Sequence, residues 1–166
     1  MSKETHQDLK ASVAREVAEF QDAGNLVDDA VAGQLGINRT DQRCLGLLWA
    51  QGALGAGQLA VAADLSPGAM TAALDRLERL GYARRVRSSA DRRSVTVEIT
   101  PTARRLIEEF YGPIGREGIA QLEQYSDAEL ALLRDFLRQG REMQMRHAAR
   151  IRSLSKANLP PSSDDA

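Results

Sequence analysis

The residues best suited to chemistry in this chain are arginines concentrated in one stretch. Nine arginines lie between positions 76 and 105, against four acids in or beside that stretch. The stretch therefore carries a local surplus of five positive charges, although the whole chain has a net charge of −1. A guanidinium is always charged and is forked, so it can bind phosphate oxygens or base edges through paired hydrogen bonds. This distribution indicates a surface that attracts a polyanion, and nucleic acid is the expected partner.

Other chemistries lack the residue patterns that they need. One cysteine and two distant histidines do not form a metal-ligand set, and the sequence has no HExxH motif, nucleophile elbow or phosphate loop. We therefore expect no enzymatic activity, no metal and no cofactor. No apolar run approaches the roughly 20 residues of a membrane span, and the N-terminus lacks the apolar core of a signal peptide. A cytoplasmic protein without a membrane partner is expected.

The elements that must position these arginines begin with a helical segment. Its apolar stripe, at spacings of four, four and three, consists of Leu9, Val13, Val17 and Phe20. The pattern weakens at positions 24–25, resumes and stops at Gly36, so one bent helix and two helices both stay open. Two short helices are predicted next, one over residues 40–51 with Thr40 as its N-cap and one over residues 58–63.

Ser66 and Pro67 form the clearest helix start in the sequence. A serine hydroxyl can cap the helix, and proline at the first helical position loses no hydrogen bond. We predict that this helix reaches Leu80 and ends at Gly81. Its inner face is apolar, with Met70, Leu74 and Leu77. Its outer face carries small and polar residues, namely Gly68, Thr71, Ala72, Asp75, Arg76 and Arg79.

The pattern changes from helical to alternating after this helix. Residues 82–87 and 94–99 are predicted to be strands, because apolar and polar residues alternate along the second of them. The polar residues 88–93 between them are short enough for the tip of a hairpin. The sequence therefore predicts a basic β-hairpin directly after the helix that begins at Ser66.

The rest of the chain is predicted to be helical. Thr100 and Pro101 repeat the cap-and-proline helix start, and we expect that helix to be interrupted near Gly112 and Pro113. A capping box at residues 126–129 begins a last helix. The Pro-, Ser- and Asp-rich end of the chain is expected to be mobile.

Helix, short helix, turn, helix and basic hairpin form a unit suited to double-stranded DNA. The helix that begins at Ser66 would enter the major groove, where its small exposed residues allow a close approach to the bases. The hairpin would place arginines in the adjacent minor groove, with Asp91 orienting one of them. The predicted contacts on the recognition helix are Ser66, Pro67, Gly68, Thr71, Ala72, Asp75 and Arg76. Those on the wing are Arg85, Arg87, Ser88, Asp91, Arg92 and Arg93.

Three motifs of this unit resemble one known family. The sequence DRRSVTVEIT at residues 91–100 resembles the wing signature of the MarR family, the multiple antibiotic resistance regulators. The sequences LSP at 65–67 and LDRLERLGY at 74–82 are similar to the recognition helix of that family and its exit into the wing. The resemblance implies an all-α fold with a small β-hairpin wing, a winged helix-turn-helix with N- and C-terminal dimerisation helices.

The resemblance also implies an organisation and a function. The implied segments are a dimerisation segment at 1–36, a DNA-binding lobe at 37–100, dimerisation helices at 101–155 and a mobile tail at 156–166. The implied protein is a homodimer that binds a pseudo-palindromic operator in double-stranded DNA. A small effector, often aromatic or anionic in this family, would bind between the dimer helices and the lobes. We therefore expect a sequence-specific, ligand-responsive repressor of transcription, without predicting its ligand-binding residues.

Two other functions stay open at this point. A winged-helix unit can serve as a protein-interaction module without DNA binding. Cys44 would make the chain a redox-sensing regulator if its thiol were exposed and acidic, but its apolar neighbours favour a buried side chain. We expect four aromatic residues to lie in the core, and the alternative is that they line a ligand pocket. These residues are Trp49, Phe110, Tyr111 and Tyr125.

Overall fold

The fold is mostly helical, with one small antiparallel sheet, as the sequence predicts. A computed structural model describes residues 5–87 and 95–154. The helices are α1 (His6–Leu35), α2 (Arg39–Gln51), α3 (Ala56–Ala63), α4 (Pro67–Arg79), α5 (Pro101–Leu122) and α6 (Asp127–Ser153). The strands are β1 (Leu54–Gly55), β2 (Ala83–Arg87) and β3 (Val95–Ile99). The chain forms two compact units, divided between Pro113 and Ile114.

The first helix is a single element, which settles the question that the sequence left open. It begins at a capping box in which the Asp8 amide donates to the Thr5 hydroxyl and the Thr5 amide donates to the Asp8 carboxylate. Gly24 lies in its interior without ending it. The helix stops at Gly36, whose φ of 65° is left-handed and suits glycine.

The predicted starts of the two short helices were wrong by two residues each. Asn38, not Thr40, caps α2, because the Asn38 side-chain oxygen accepts a hydrogen bond from the Asp41 amide at 2.9 Å. Helix α3 begins at Ala56, before the predicted position 58. The Gln58 side chain there reaches back and accepts from the Gly55 amide at 2.9 Å, so Gln58 closes the first turn.

The predicted hairpin is confirmed, and it belongs to a three-stranded sheet. β2 and β3 pair antiparallel, with Ala83 opposite Ile99 and Arg87 opposite Val95. The third strand, β1, was not predicted; it pairs Leu54 with Val97, and the sheet order is β1-β3-β2. Strand β3 is therefore central, and its buried side chains attach the hairpin to the helices.

One apolar core holds α2, α3, α4 and the sheet together. The predicted inner face of α4 is confirmed, since Met70, Leu74 and Leu77 are buried, and Ala73 lies beside them. The core also contains Cys44, Leu45, Leu48, Leu59, Ala60, Ala63, Ala83, Val97, Ile99 and Ala103. This packing fixes the orientation of α4 relative to the hairpin, and so determines which face of α4 is exposed.

The predicted interruption of α5 near Gly112 and Pro113 was wrong. The helix is continuous through Pro113, after a start at which the Thr100 hydroxyl accepts from the Ala103 amide at 3.1 Å. A proline inside a helix removes the hydrogen bond to the carbonyl four residues earlier, here that of Glu109. Glu109 is exposed, so a water molecule can donate to its carbonyl oxygen in place of the amide hydrogen that Pro113 lacks. In the second unit, α6 begins at the predicted capping box of Ser126 and Glu129.

Candidate nucleic-acid interface

The start of α4 is capped as the sequence predicted. Ser66 is extended, with φ −65° and ψ 156°, and its hydroxyl accepts a hydrogen bond from the Ala69 amide at 3.3 Å. Pro67 occupies the first turn. Because the core takes the opposite face, the residues predicted to contact DNA lie on the outer side. Ser66, Pro67, Gly68, Thr71, Ala72 and Asp75 are exposed, and Arg76 is half-buried.

Arg76 has a protein partner that was not predicted from the sequence. Its Nε donates to Asp41 Oδ2 at 3.0 Å and its Nη2 donates to Asp41 Oδ1 at 2.7 Å. The Asp41 side chain is only 2% exposed and that of Arg76 35% exposed, so the pair joins the core of α2 to the surface of α4. These hydrogen bonds raise the pKa of the Arg76 guanidinium. The sequence contained a signal that Asp41 is buried. It stands three and four residues before Cys44 and Leu45, so helical spacing places it on the apolar side of α2.

Arg85, predicted to contact DNA from the wing, is bound to α4. Its Nη2 donates to Asp75 Oδ1 at 3.0 Å, its Nη1 pairs with Glu78, and its backbone amide donates to Glu78 Oε1 at 2.9 Å. Asp75, predicted as a DNA contact on the recognition helix, is therefore an acceptor for Arg85. The two residues connect β2 to α4 and set the position of β2 beside that helix.

The remaining wing residues lie at and beyond the end of β2. Arg87 is exposed at the last position of that strand. Four of the predicted contacts, Ser88, Asp91, Arg92 and Arg93, lie outside the described residues. The structure thus locates the base of the wing, and the predicted roles of the tip residues stay predictions.

Cys44 is fully buried, as the apolar residues around it predicted. Burial is the main cause that raises the pKa of its thiol, and the nearby carboxylate of Asp41 raises it further. Arg43 and Arg76 act in the opposite direction with smaller effect. A thiol that is buried and less acidic than usual is poorly suited to react with peroxide, so this environment disfavours the redox alternative.

The aromatic residues do not form one common core. Trp49 is 39% exposed, with the Arg104 guanidinium carbon 5.3 Å from its ring centre. Tyr111 is half-buried, and its hydroxyl donates to Asp28 Oδ1 at 2.7 Å and accepts from Gln42 Nε2 at 3.1 Å. Burial and the bond to Asp28 raise the pKa of Tyr111. Phe110 is also half-buried, whereas Tyr125 is exposed.

Known proteins share this sequence pattern and this fold. The sequence profile of the MarR family matches residues 37–95, which include α4 and β2. An HTH-type transcriptional regulator of Bacillus subtilis, the uncharacterized YcgE, is 31% identical over 112 residues, which cover 68% of this chain and 73% of that protein. The chain belongs to the MarR family. This MarR-family chain is accordingly a transcriptional regulator, in a family of regulators rather than enzymes.

Solved structures agree with that assignment. A MarR family protein from Bacillus stearothermophilus has the same fold, with a TM-score of 0.62 and 22% identity over 85% of this chain and 99% of that one. NadR, solved in complex with 4-hydroxyphenylacetate, is 27% identical, with a TM-score of 0.53 over 84% of this chain and 94% of that one. Among the helices that the structure describes in this MarR-family chain, none is both long and apolar enough to cross a membrane.

Proposed function

We propose that this MarR-family regulator is a ligand-responsive repressor that binds a specific operator in double-stranded DNA. The observation that carries the proposal is the division of α4 into two faces. Its apolar face is buried, while the outward residues of its first two turns, among them Gly68, Thr71 and Ala72, are exposed and small or polar. Such a face can approach base edges in the major groove closely.

The wing supplies the second part of the proposed interface. Arg87 is exposed at the end of β2, and Asp91, Arg92 and Arg93 follow it in the sequence, in the segment predicted to be the tip. Arginines at a hairpin tip can enter a minor groove narrowed by A·T sequence. We propose that these arginines bind beside the groove occupied by α4, with Asp91 orienting one of them.

A two-fold dimer would place two copies of α4 on successive major grooves, about one helical turn of DNA apart. Large apolar side chains are exposed along α1 and, separately, along α6 in a single copy of the chain. Exposed apolar surface of this extent typically marks an interface. We therefore propose that residues 1–36 and 101–155 form the dimer and that residues 37–100 form the DNA-binding lobe.

The proposed effector is a small molecule that favours a lobe spacing unsuited to the operator. The basis for its chemical class is NadR, the 27% identical protein solved with 4-hydroxyphenylacetate. Small aromatic carboxylates are therefore the first compounds to test. An effector of this class should raise the concentration of protein that is needed to bind half of a labelled duplex.

The experiment that tests DNA binding uses a labelled duplex from immediately upstream of the gene, with a random duplex of equal length for comparison. Affinity is measured by fluorescence anisotropy at salt concentrations from about 50 to about 200 mM. Affinity that depends on phosphate contacts falls steeply over this range. Arg87→Ala, Arg92→Ala and Arg93→Ala each test a wing contact. Arg39→Ala is the matched control, because Arg39 is exposed, ion-paired with Asp29 and outside the basic stretch.

We expect the wild-type protein to prefer the upstream duplex and to lose affinity steeply as the salt concentration rises. Each wing variant should reduce the slope of log affinity against log salt by about 0.9 for each phosphate that it no longer neutralises, and by about twice that in a dimer. The Arg39 variant should keep the original slope. A protein without salt-dependent affinity for either duplex would contradict the proposal and favour a protein-interaction module.

A further inference from the structure

The ion pair of Asp41 and Arg76 connects the inside of the DNA-binding lobe to the exposed side of α4. The two partners differ greatly in burial, with 2% of the Asp41 side chain exposed against 35% of the Arg76 side chain. Arg76 stands one turn after Ala72 on α4, so it follows directly from the small residues proposed to approach the bases. The surface part of Arg76 therefore lies at the end of the proposed reading face.

The geometry of the pair determines which part of the guanidinium is used. The carboxylate binds the edge formed by Nε and Nη2, at 3.0 and 2.7 Å. The adjacent end edge, formed by Nη1 and the second N–H of Nη2, takes no part in this pair. Because the carboxylate is buried, the edge that it binds faces the inside of the lobe, whereas 35% of the Arg76 side chain is exposed. The Nη1–Nη2 edge is the one that Asp41 leaves unbound. Two parallel N–H groups of this kind match the O6 and N7 acceptors of guanine.

We propose that Asp41 is a positioning residue for operator recognition, holding Arg76 so that its Nη1–Nη2 edge reads a guanine in the major groove. Asp41 itself touches no DNA. This proposal rests on the DNA-binding function proposed above and names how one base would be read. The arginine loses its rotamer freedom when the protein folds, so that loss does not recur on binding.

The pair also gives Arg76 a different electrostatic role from the wing arginines. The buried carboxylate already neutralises the guanidinium, so Arg76 adds little net attraction for phosphate. Replacing both partners together, or replacing Arg76 by lysine, should therefore weaken binding to the operator while leaving binding to random DNA and the salt slope nearly unchanged. A residue that only joined α2 to α4 would affect both kinds of DNA through the stability of the lobe.

The test compares Arg76→Met, Asp41→Asn, these two substitutions combined, and the double variant Asp41→Leu with Arg76→Met. The double variant removes both charges together, so it leaves no buried charge without a partner. Thermal unfolding by circular dichroism reports whether each variant is folded. Arg76→Lys is the second probe if the double variant does not fold, because an ammonium can pair with Asp41 but has no forked edge. Affinities are measured on the upstream and random duplexes defined above.

We expect the folded double variant and Arg76→Lys to lose roughly 5- to 150-fold in affinity for the upstream duplex for each guanine contact, and about the square of that loss when both copies in a dimer read a guanine. Affinity for the random duplex and the salt slope should stay within about twofold of the original. Asp41→Asn should also lower the preference for the upstream duplex, and this effect should disappear in the Arg76→Met background.

Three results would overturn the proposal. A folded double variant with unchanged affinity for the upstream duplex would make the pair a structural connection only. Equal losses on both duplexes would mean that Arg76 binds a phosphate. An effect of Asp41→Asn that persists in the Arg76→Met background would mean that Asp41 does not act through Arg76. If the unchanged protein binds neither duplex, the proposed function fails as well, so the two failures are distinguishable.

Discussion

Dimerisation through α1 can be tested by replacing one exposed aromatic residue. Phe20 stands on the apolar stripe of α1, and 77% of its surface is exposed in a single copy of the chain. Full burial of such a side chain contributes about 1.5–3 kcal/mol, so the exposed three-quarters would contribute about 1–2 kcal/mol. Two-fold symmetry uses each residue twice, which doubles the effect. Phe20→Ser should therefore raise the dimer dissociation constant by roughly 30- to 700-fold.

The assay is sedimentation equilibrium at several protein concentrations, with thermal unfolding as a check on the fold. Leu137→Ser tests α6 in the same way, since Leu137 is 61% exposed. Val61→Ser is the control, because Val61 on α3 is 84% exposed but lies outside both proposed dimer segments. This variant should keep the original dissociation constant. The reasoning is refuted if the unchanged protein is a monomer, or if neither Phe20→Ser nor Leu137→Ser weakens the dimer.

Two further predictions concern residues inside the lobe. Burial raises the pKa of Cys44, so the fold favours the protonated thiol. The contribution of the protonated thiol to stability is therefore complete below about pH 8.5 and is lost as the pH rises through the raised pKa. In urea unfolding, the free energy of unfolding of the wild-type protein should decrease over that pH range. The decrease should be smaller in Cys44→Ala. Gly81 has φ 73°, so Gly81→Ala should lower the free energy of unfolding by about 1–2 kcal/mol. Gly46→Ala, in the interior of α2 with no atom near the added Cβ, should raise it by about 0.5–1 kcal/mol; equal shifts in the two glycine variants would contradict this assignment.

The features that the sequence predicted correctly are those with local causes. The helix starts at Ser66, Thr100 and Ser126 depend on a hydroxyl and an amide three residues apart, so nearby residues suffice to identify them. The alternation along β3 is equally local and indicates which face is buried. The apolar face of α4 followed from helical spacing. For these elements the type and the approximate bounds could be predicted without knowing what they pack against.

The features that were missed depend on partners far along the chain. β1 has only two residues and exists because Leu54 pairs with Val97, a partner that no nearby pattern indicates. The same holds for the pair of Asp41 and Arg76, which are 35 positions apart. The interruption expected at Pro113 did not occur. The prediction failed because the residue types near Pro113 do not show whether water can satisfy the freed carbonyl. Long-range pairing and solvent access therefore account for the errors.

The ion pairs change what the basic stretch can do. Its local surplus is a count of charges in the sequence, but three of the arginines that the structure describes in it are bound to acids within the protein. Arg84 pairs with Glu98, Arg85 with Asp75 and Glu78, and Arg76 with a buried carboxylate from outside the stretch. Such pairing leaves little net charge on α4 itself. We therefore expect the attraction to phosphate to come mainly from the wing beyond β2, while α4 contributes recognition of the bases by shape and hydrogen bonds.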